Sequence, residues 1–127
     1  MIRSLKVFDI VSSSYPSLDG TLKEGLFLVL NVSKGNMLCA KITSQFDSRY
    51  MNYAVLVYQR TNPFLQCDSY IQLDKLLTLN SNRCAKIGSL APVIRPDVKN
   101  VFNRMLLDIL TSLNKNIRQV YRSPNKR

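Results

Sequence analysis

Between residues 6 and 79 short apolar runs alternate with polar, turn-forming stretches, and from residue 98 the period changes. Lys6-Val7-Phe8-Asp9-Ile10-Val11 is rich in β-branched residues and predicts a first strand. Residues 12–24 open with three consecutive serines, hold Pro16 and the pair Asp19-Gly20, and read as a turn-rich connection. A second strand is expected over residues 26–32. Its centre, Leu26-Phe27-Leu28-Val29-Leu30, is apolar without interruption, which predicts burial on both faces. Ser33-Lys34-Gly35-Asn36 then forms a compact turn, glycine supplying the positive φ, and residues 37–42 return as the third strand of a hairpin.

Residues 45–52 are polar and predict a loop, residues 53–58 a fourth strand, and Arg60-Thr61-Asn62-Pro63 a break. Residues 68–79 hold one or two further strands, Tyr70 to Leu73 and Leu76 to Leu79. Short strands at spacings near ten residues, joined by polar turns, point to a small barrel or sandwich. In the last part, Val101, Phe102, Met105, Leu106, Ile109, Leu110 and Leu113 follow the i, i+3, i+4, i+7 rhythm of an amphipathic helix. Pro96 and Asp97 stand where a helix start favours them. The apolar stripe is expected to cover one face of the sheet. The expected architecture is therefore mainly β with a C-terminal α-helix, one domain over residues 1–114. Residues 115–127 carry Lys115, Arg118, Arg122, Lys126 and Arg127 with no acid, and read as a basic tail that is either a solvated terminus or an electrostatic arm.

Charge narrows the function classes. Eighteen Lys and Arg against eight Asp and Glu give a formal charge of +10, a field that gathers polyanions, nucleic acid foremost. The absence of histidine removes Ser-His-Asp and Cys-His catalysis and any histidine-ligated zinc site. Cys39, Cys67 and Cys84 are widely spaced and odd in number, which argues for free, apolar cysteines over a disulfide framework or a metal site. The longest apolar run cannot span a bilayer. A cytoplasmic protein with no metal, no cofactor and no membrane partner is expected.

The order of these elements and several local motifs resemble the MazF/PemK/Kid toxin family. Phe8-Asp9-Ile10-Val11 stands where the family writes "GDIV", and Glu24-Gly25 followed by Leu26 to Asn31 where it writes "RPALVVSN". Lys41-Ile42-Thr43-Ser44 matches the strand ending in "ITS", and residues 74–90, which include Lys86-Ile87-Gly88-Ser89-Leu90, match the late "DKxRLxxKIGxL" segment. The likeness spans roughly residues 6 to 114. It implies a small SH3-like (PemK/MazF-like) barrel with a C-terminal helix, usually a homodimer, acting as a metal-independent endoribonuclease on single-stranded RNA and restrained by an antitoxin protein.

Carried over position by position, the resemblance implies Thr43 as a phosphate-binding hydroxyl and Asp74 as a proton-transfer carboxylate. Glu24-Gly25 occupies the family's "RP" position, so Lys23 becomes the candidate catalytic cation; Gln72 stands where some members carry another arginine. Lys41, Ser44, Arg49 and Lys75 are the candidate nucleic-acid contacts, with Tyr50 and Tyr53 as candidate stacking faces. The altered cationic positions keep a second function open: a relative without catalysis that binds nucleic acid or a host protein.

Overall fold

The computed structural model describes residues 4–49 and 51–122, with side chains as far as Ile117. The described residues form β1 (Asp9–Pro16), β2 (Leu22–Ser33), β3 (Asn36–Thr43), β4 (Ala54–Val57), β5 (Ser69–Asn80), β6 (Ala85–Ser89) and α1 (Arg95–Arg122). The strands make one antiparallel sheet in the order β4-β5-β3-β2-β1-β6. Pairing slips between Ile10 and Val11 on β1, Val29 and Asn31 on β2, and Ala40 and Lys41 on β3. Such bulges bend strands and increase their twist, as a small coiled sheet requires.

The central hairpin follows the expected pattern. Ser33 pairs with Asn36 across the two-residue turn, where Lys34 and Gly35 both take positive φ (49° and 82°). That is the turn whose twist matches the flanking strands. Phe27, Leu28 and Val29 are all fully buried, because each face of the sheet carries its own core. Leu28 joins Ile10, Ile42, Ile71, Leu73, Leu90 and Val98 on the helix side. Phe27 and Val29 join Leu5, Val11, Met37 and Cys39 on the other. Each fully buried large side chain contributes about 1.5–3 kcal/mol before the entropy cost of ordering it.

Three expectations are corrected, and one segment with no assigned element proves to be strand. The first strand starts at Asp9 because the chain bends at Phe8 (φ 75°), where the backbone bonds to Val29 and Leu90. The serine-rich segment is strand as far as Pro16, and β2 already begins at Leu22, so only residues 17–21 turn. Serine hydroxyls are tolerated there because Ser14 faces water and Ser13 Oγ bonds the Ser14 carbonyl. Asp19 organises the turn by accepting from Ser17 Oγ, Thr21 Oγ1 (2.6 Å) and Thr21 N (3.0 Å), which holds its carboxyl at about 2. Ala85–Ser89 is a strand although its composition is a poor one for a strand. It is held at the edge by Asp9, which accepts from Ser89 Oγ (2.8 Å) and pairs with Lys86 Nζ (3.3 Å).

The helix departs most. Val98 and Met105 are buried and Val101 and Phe102 half-buried, but Leu106, Ile109, Leu110 and Leu113 stay 41–56% exposed. At 28 residues the helix is roughly 42 Å long, and the later part of its stripe is uncovered within this chain. Arg95 Nε donating to the Leu90 carbonyl (2.9 Å) and Tyr53 Oη donating to Asp108 (2.7 Å) fix its direction. The helix runs through Asn114 to Arg122 without a break. Lys126 and Arg127 lie outside the described residues, as do the side chains of Arg118 and Arg122. Among the described residues no helix is long and apolar enough to cross a membrane.

Candidate nucleic-acid interface

The last residues of β3 carry Lys41 and Thr43, which by the two-residue period of a strand share one face. Thr43 lies opposite Tyr70 of β5, and Lys41 lies between Phe27 of β2 and Gln72 of β5. Two strands away, Tyr15 of β1 pairs with Lys23 of β2. Its ring leans over β2, edge-on to Phe27 at 5.6 Å. Gly25 makes this approach possible: a Cβ there would lie 2.9 Å from Tyr15 Cε1 and 3.3 Å from the Phe27 ring. Lys41 Nζ donates to Tyr15 Oη at 3.0 Å and sits 4.7 Å from the centre of the same ring. The phenol therefore accepts from the ammonium and keeps its own proton to donate.

Two depressions open on this face. The first, about 630 Å³, is lined by Thr43, Ser44, Gln45, Lys41, Tyr15 and Glu24, and walled by Phe64 and Ile87. Thr43 Oγ1 accepts from Gln45 N at 3.2 Å, an Asx-like local bond that leaves the hydroxyl proton available to a ligand. Glu24 is the acid of this lining among the described residues; its Oε1 accepts from Ser14 Oγ at 2.7 Å. The second depression, about 530 Å³, holds Lys23, Lys41 and Lys75 around Tyr15, Ser17 and Leu77. Lys41 and Tyr15 belong to both, so the two form one track of hydroxyls and ammonium groups, with the carboxylates of Glu24 and Asp19 also in its lining.

The residues singled out from sequence thus divide. Thr43, Ser44 and Lys41 converge on the first depression; Lys23 and Lys75 converge with Lys41 on the second. Asp74 lines neither. The pairing of β5 with β3 skips from Gln72 to Leu76, and the extruded Asp74 acts electrostatically on Tyr53, on the helix side. Arg49 lies on the loop after β3, where its Nε and Nη2 bond Asp47 at 3.1 and 3.0 Å. Arg49's bonds hold the Asp47 carboxyl below the usual range, with Lys75 adding to the effect. Tyr50 lies outside the described residues, and Tyr53 is engaged by Asp108 and by Arg104, whose guanidinium lies 5.5 Å from its ring. Glu24 and Tyr15 were not singled out for chemistry from sequence. The replaced "RP" pair pointed to Glu24, but nothing local pointed to Tyr15, which reaches the site only through sheet pairing.

Among the described residues no group of three or more His, Cys, Asp or Glu is arranged to hold a metal ion. Cys39 is buried, and burial pushes its thiol up to about 12, with Cys84 nearby adding to the shift.

No family model and no curated protein matches the chain. Solved structures do. An endoribonuclease in complex with its cognate antitoxin, from a mycobacterial species, superposes with a TM-score of 0.62 at 11% identity, over 81% of this chain and 95% of that one. The MazE–MazF crystal structure from Deinococcus radiodurans does so with a TM-score of 0.63 at 15% identity, over 80% and 95%. The six-stranded antiparallel sheet with its C-terminal helix is therefore the MazF-like fold.

Proposed function

We propose that this protein is a MazF-like toxin, an endoribonuclease that cleaves single-stranded RNA without a metal ion. The observation that carries the proposal is the convergence of Thr43, Lys41, Tyr15 and Glu24 on one depression of a fold shared with endoribonucleases. Cleavage of this kind forms a bond from the ribose 2′ oxygen to phosphorus and breaks the bond from phosphorus to the 5′ oxygen. The 2′ proton must be taken up, the 5′ oxygen must gain one, and the charge gathering on the phosphoryl oxygens must be held. In this proposal Glu24 takes the 2′ proton, the Tyr15 hydroxyl supplies the proton to the leaving oxygen, and Thr43 Oγ1 and Lys41 hold the phosphoryl oxygens. Lys23 and Lys75, in the adjoining depression, hold the next phosphate instead of acting at phosphorus. Ser44 is a further contact at the first phosphate. Arg49, paired with Asp47, adds to the field at the loop. The proposal carries with it an antitoxin protein partner, as in the two structural neighbours, and a homodimer.

One observation favours a second function, binding without cleavage. Glu24 puts a negative charge on the wall of a site that must stabilise negative charge, in the position that the family resemblance gives to arginine. The two functions separate in one experiment: purified protein is incubated with a long single-stranded RNA in EDTA, and fragments and their ends are read. Discrete fragments with 2′,3′-cyclic phosphate ends are expected, lost in Thr43→Ala and Glu24→Gln and kept in Asp74→Asn. Intact RNA that nevertheless stays bound to the protein would establish the binder.

A further inference from the structure

The loop leaving β3 places Phe46 directly after Thr43, Ser44 and Gln45, which line the first depression. Its ring is 59% exposed, and it rests on Tyr70 with ring centres 5.1 Å apart and planes 40° apart. Tyr70 is itself half-buried and lies opposite Thr43 in the β3–β5 pairing. The arrangement is thus a fixed inner ring carrying an outer ring whose far face meets water. An exposed phenyl ring is costly to leave in water, and the segment that carries it lines the first depression with the hydroxyls of Thr43 and Ser44, which fit a phosphate. A single-stranded nucleic acid offers both chemistries on adjacent atoms: a charged phosphodiester for the groove and a flat π face for a ring. Of the two tyrosines that the sequence offered for stacking, Tyr53 is turned to the helix and Tyr50 lies outside the described residues, while Phe46 is an exposed ring beside the track.

We infer that Phe46, backed by Tyr70, is a stacking platform for an unpaired nucleobase next to the phosphate bound at Thr43. The inference rests on the RNA-directed function proposed above and adds the element that keeps a strand's base in register with its phosphate. Every base has a π face, so this contact accepts all four bases and selects for single strands over duplex, in which bases are already stacked. Tyr70 holds the phenyl ring in place, so little freedom is lost when a base arrives.

The test uses a short fluorescent oligonucleotide made entirely of 2′-deoxy residues, which lacks the nucleophile and so reports binding alone, followed by anisotropy over a salt series. Phe46→Leu keeps an apolar side chain but removes the π face. It is expected to weaken binding about 5- to 150-fold, the range for one lost stacked base. The slope of log affinity against log salt should not change, because no phosphate contact is lost. Phe46→Tyr should restore binding, and an abasic residue at the stacked position should erase the difference between wild type and Phe46→Leu. Equal affinity of wild type and Phe46→Leu, with unchanged thermal unfolding, overturns the platform while leaving the RNA function standing. A wild-type protein that ignores the strand altogether overturns that function and the platform with it.

Discussion

Replacing Gly88 by alanine places a methyl carbon 2.4 Å from Cδ1, 2.6 Å from Cγ and 2.7 Å from Cε1 of Phe64. Non-bonded carbons rest at about 3.5–4.0 Å, so the ring must retreat by about 1 Å. Turning the ring about its own axis does not help, because Cγ is among the clashing atoms; the side chain or its loop has to move. Overpacking of this kind costs about 1–3 kcal/mol. Loss of glycine's freedom in the unfolded chain offsets about 0.4–1 kcal/mol of that, since Gly88 is not in the left-handed region. Combined, the two ranges leave a net loss of about 0–2.6 kcal/mol, and the midpoint of about 1.3 kcal/mol lowers the melting temperature by roughly 4–7 °C for a domain of this size. Calorimetry on wild type, Gly88→Ala, Phe64→Ala and the double variant checks the origin of the effect. If the clash is the cause, the double variant is no less stable than Phe64→Ala alone, a strongly non-additive result. Simple additivity across the four proteins would refute the reasoning. The same displacement reaches the site, because Phe64 and Ile87 wall the first depression; RNA affinity of Gly88→Ala should fall at temperatures where the protein is still folded.

Further expectations concern charge and thiols. Lys23→Ala and Lys75→Ala should each weaken single-strand binding and flatten the salt slope by about 0.7, the signature of one lost phosphate contact on a single strand. Burial opposes the charge on Asp9, but bonds from the Lys6 N–H and Ser89 and the Lys86 ammonium outweigh it and hold the carboxyl below its ordinary value. Stability from this group is therefore present above the unfolded pKa of about 3.9 and is lost as pH falls through the lower folded value. Asp9→Asn should lower the melting temperature at neutral pH, and a deficit that fails to shrink below about pH 4 would contradict the assignment. A thiol reagent at mildly alkaline pH should label exposed Cys67 rapidly, while buried Cys39, raised to about 12, reacts only on unfolding.

Local chemistry made part of the site legible. Thr43, Ser44 and Lys41 sit at the end of a strand whose apolar alternation is plain, so their shared position at a sheet end follows from the period of a strand. Lys23 and Lys75 were legible as basic residues near the track, but their convergence on one depression depends on the pairings of β1 with β2 and β3 with β5. Asp74 lies off the track because a bulge, a tertiary event, displaces it. Up to Gln72 the pairing with β3 is regular, and the skipped residues then move the carboxylate off the track. The role of Gly25, which admits the Tyr15 ring, is visible only once β1 lies against β2.

The amino-acid sequence by itself determined the strand-rich body, the central hairpin with its glycine turn, the doubly buried second strand and the start of the helix. These follow from hydrophobic period, turn chemistry and helix-start preferences, all of which act over a few residues. Tertiary structure alone decided that Ser12 to Pro16 extend β1, that Ala85–Ser89 become an edge strand, and that the later part of the helix stripe stays exposed. It also decided that Tyr15, Glu24, Lys41 and Thr43 meet. Each of these depends on a partner distant in the chain: Asp9 for the edge strand, the sheet residues that cover only the first turns of the helix, and pairing across β1, β2 and β3 for the site.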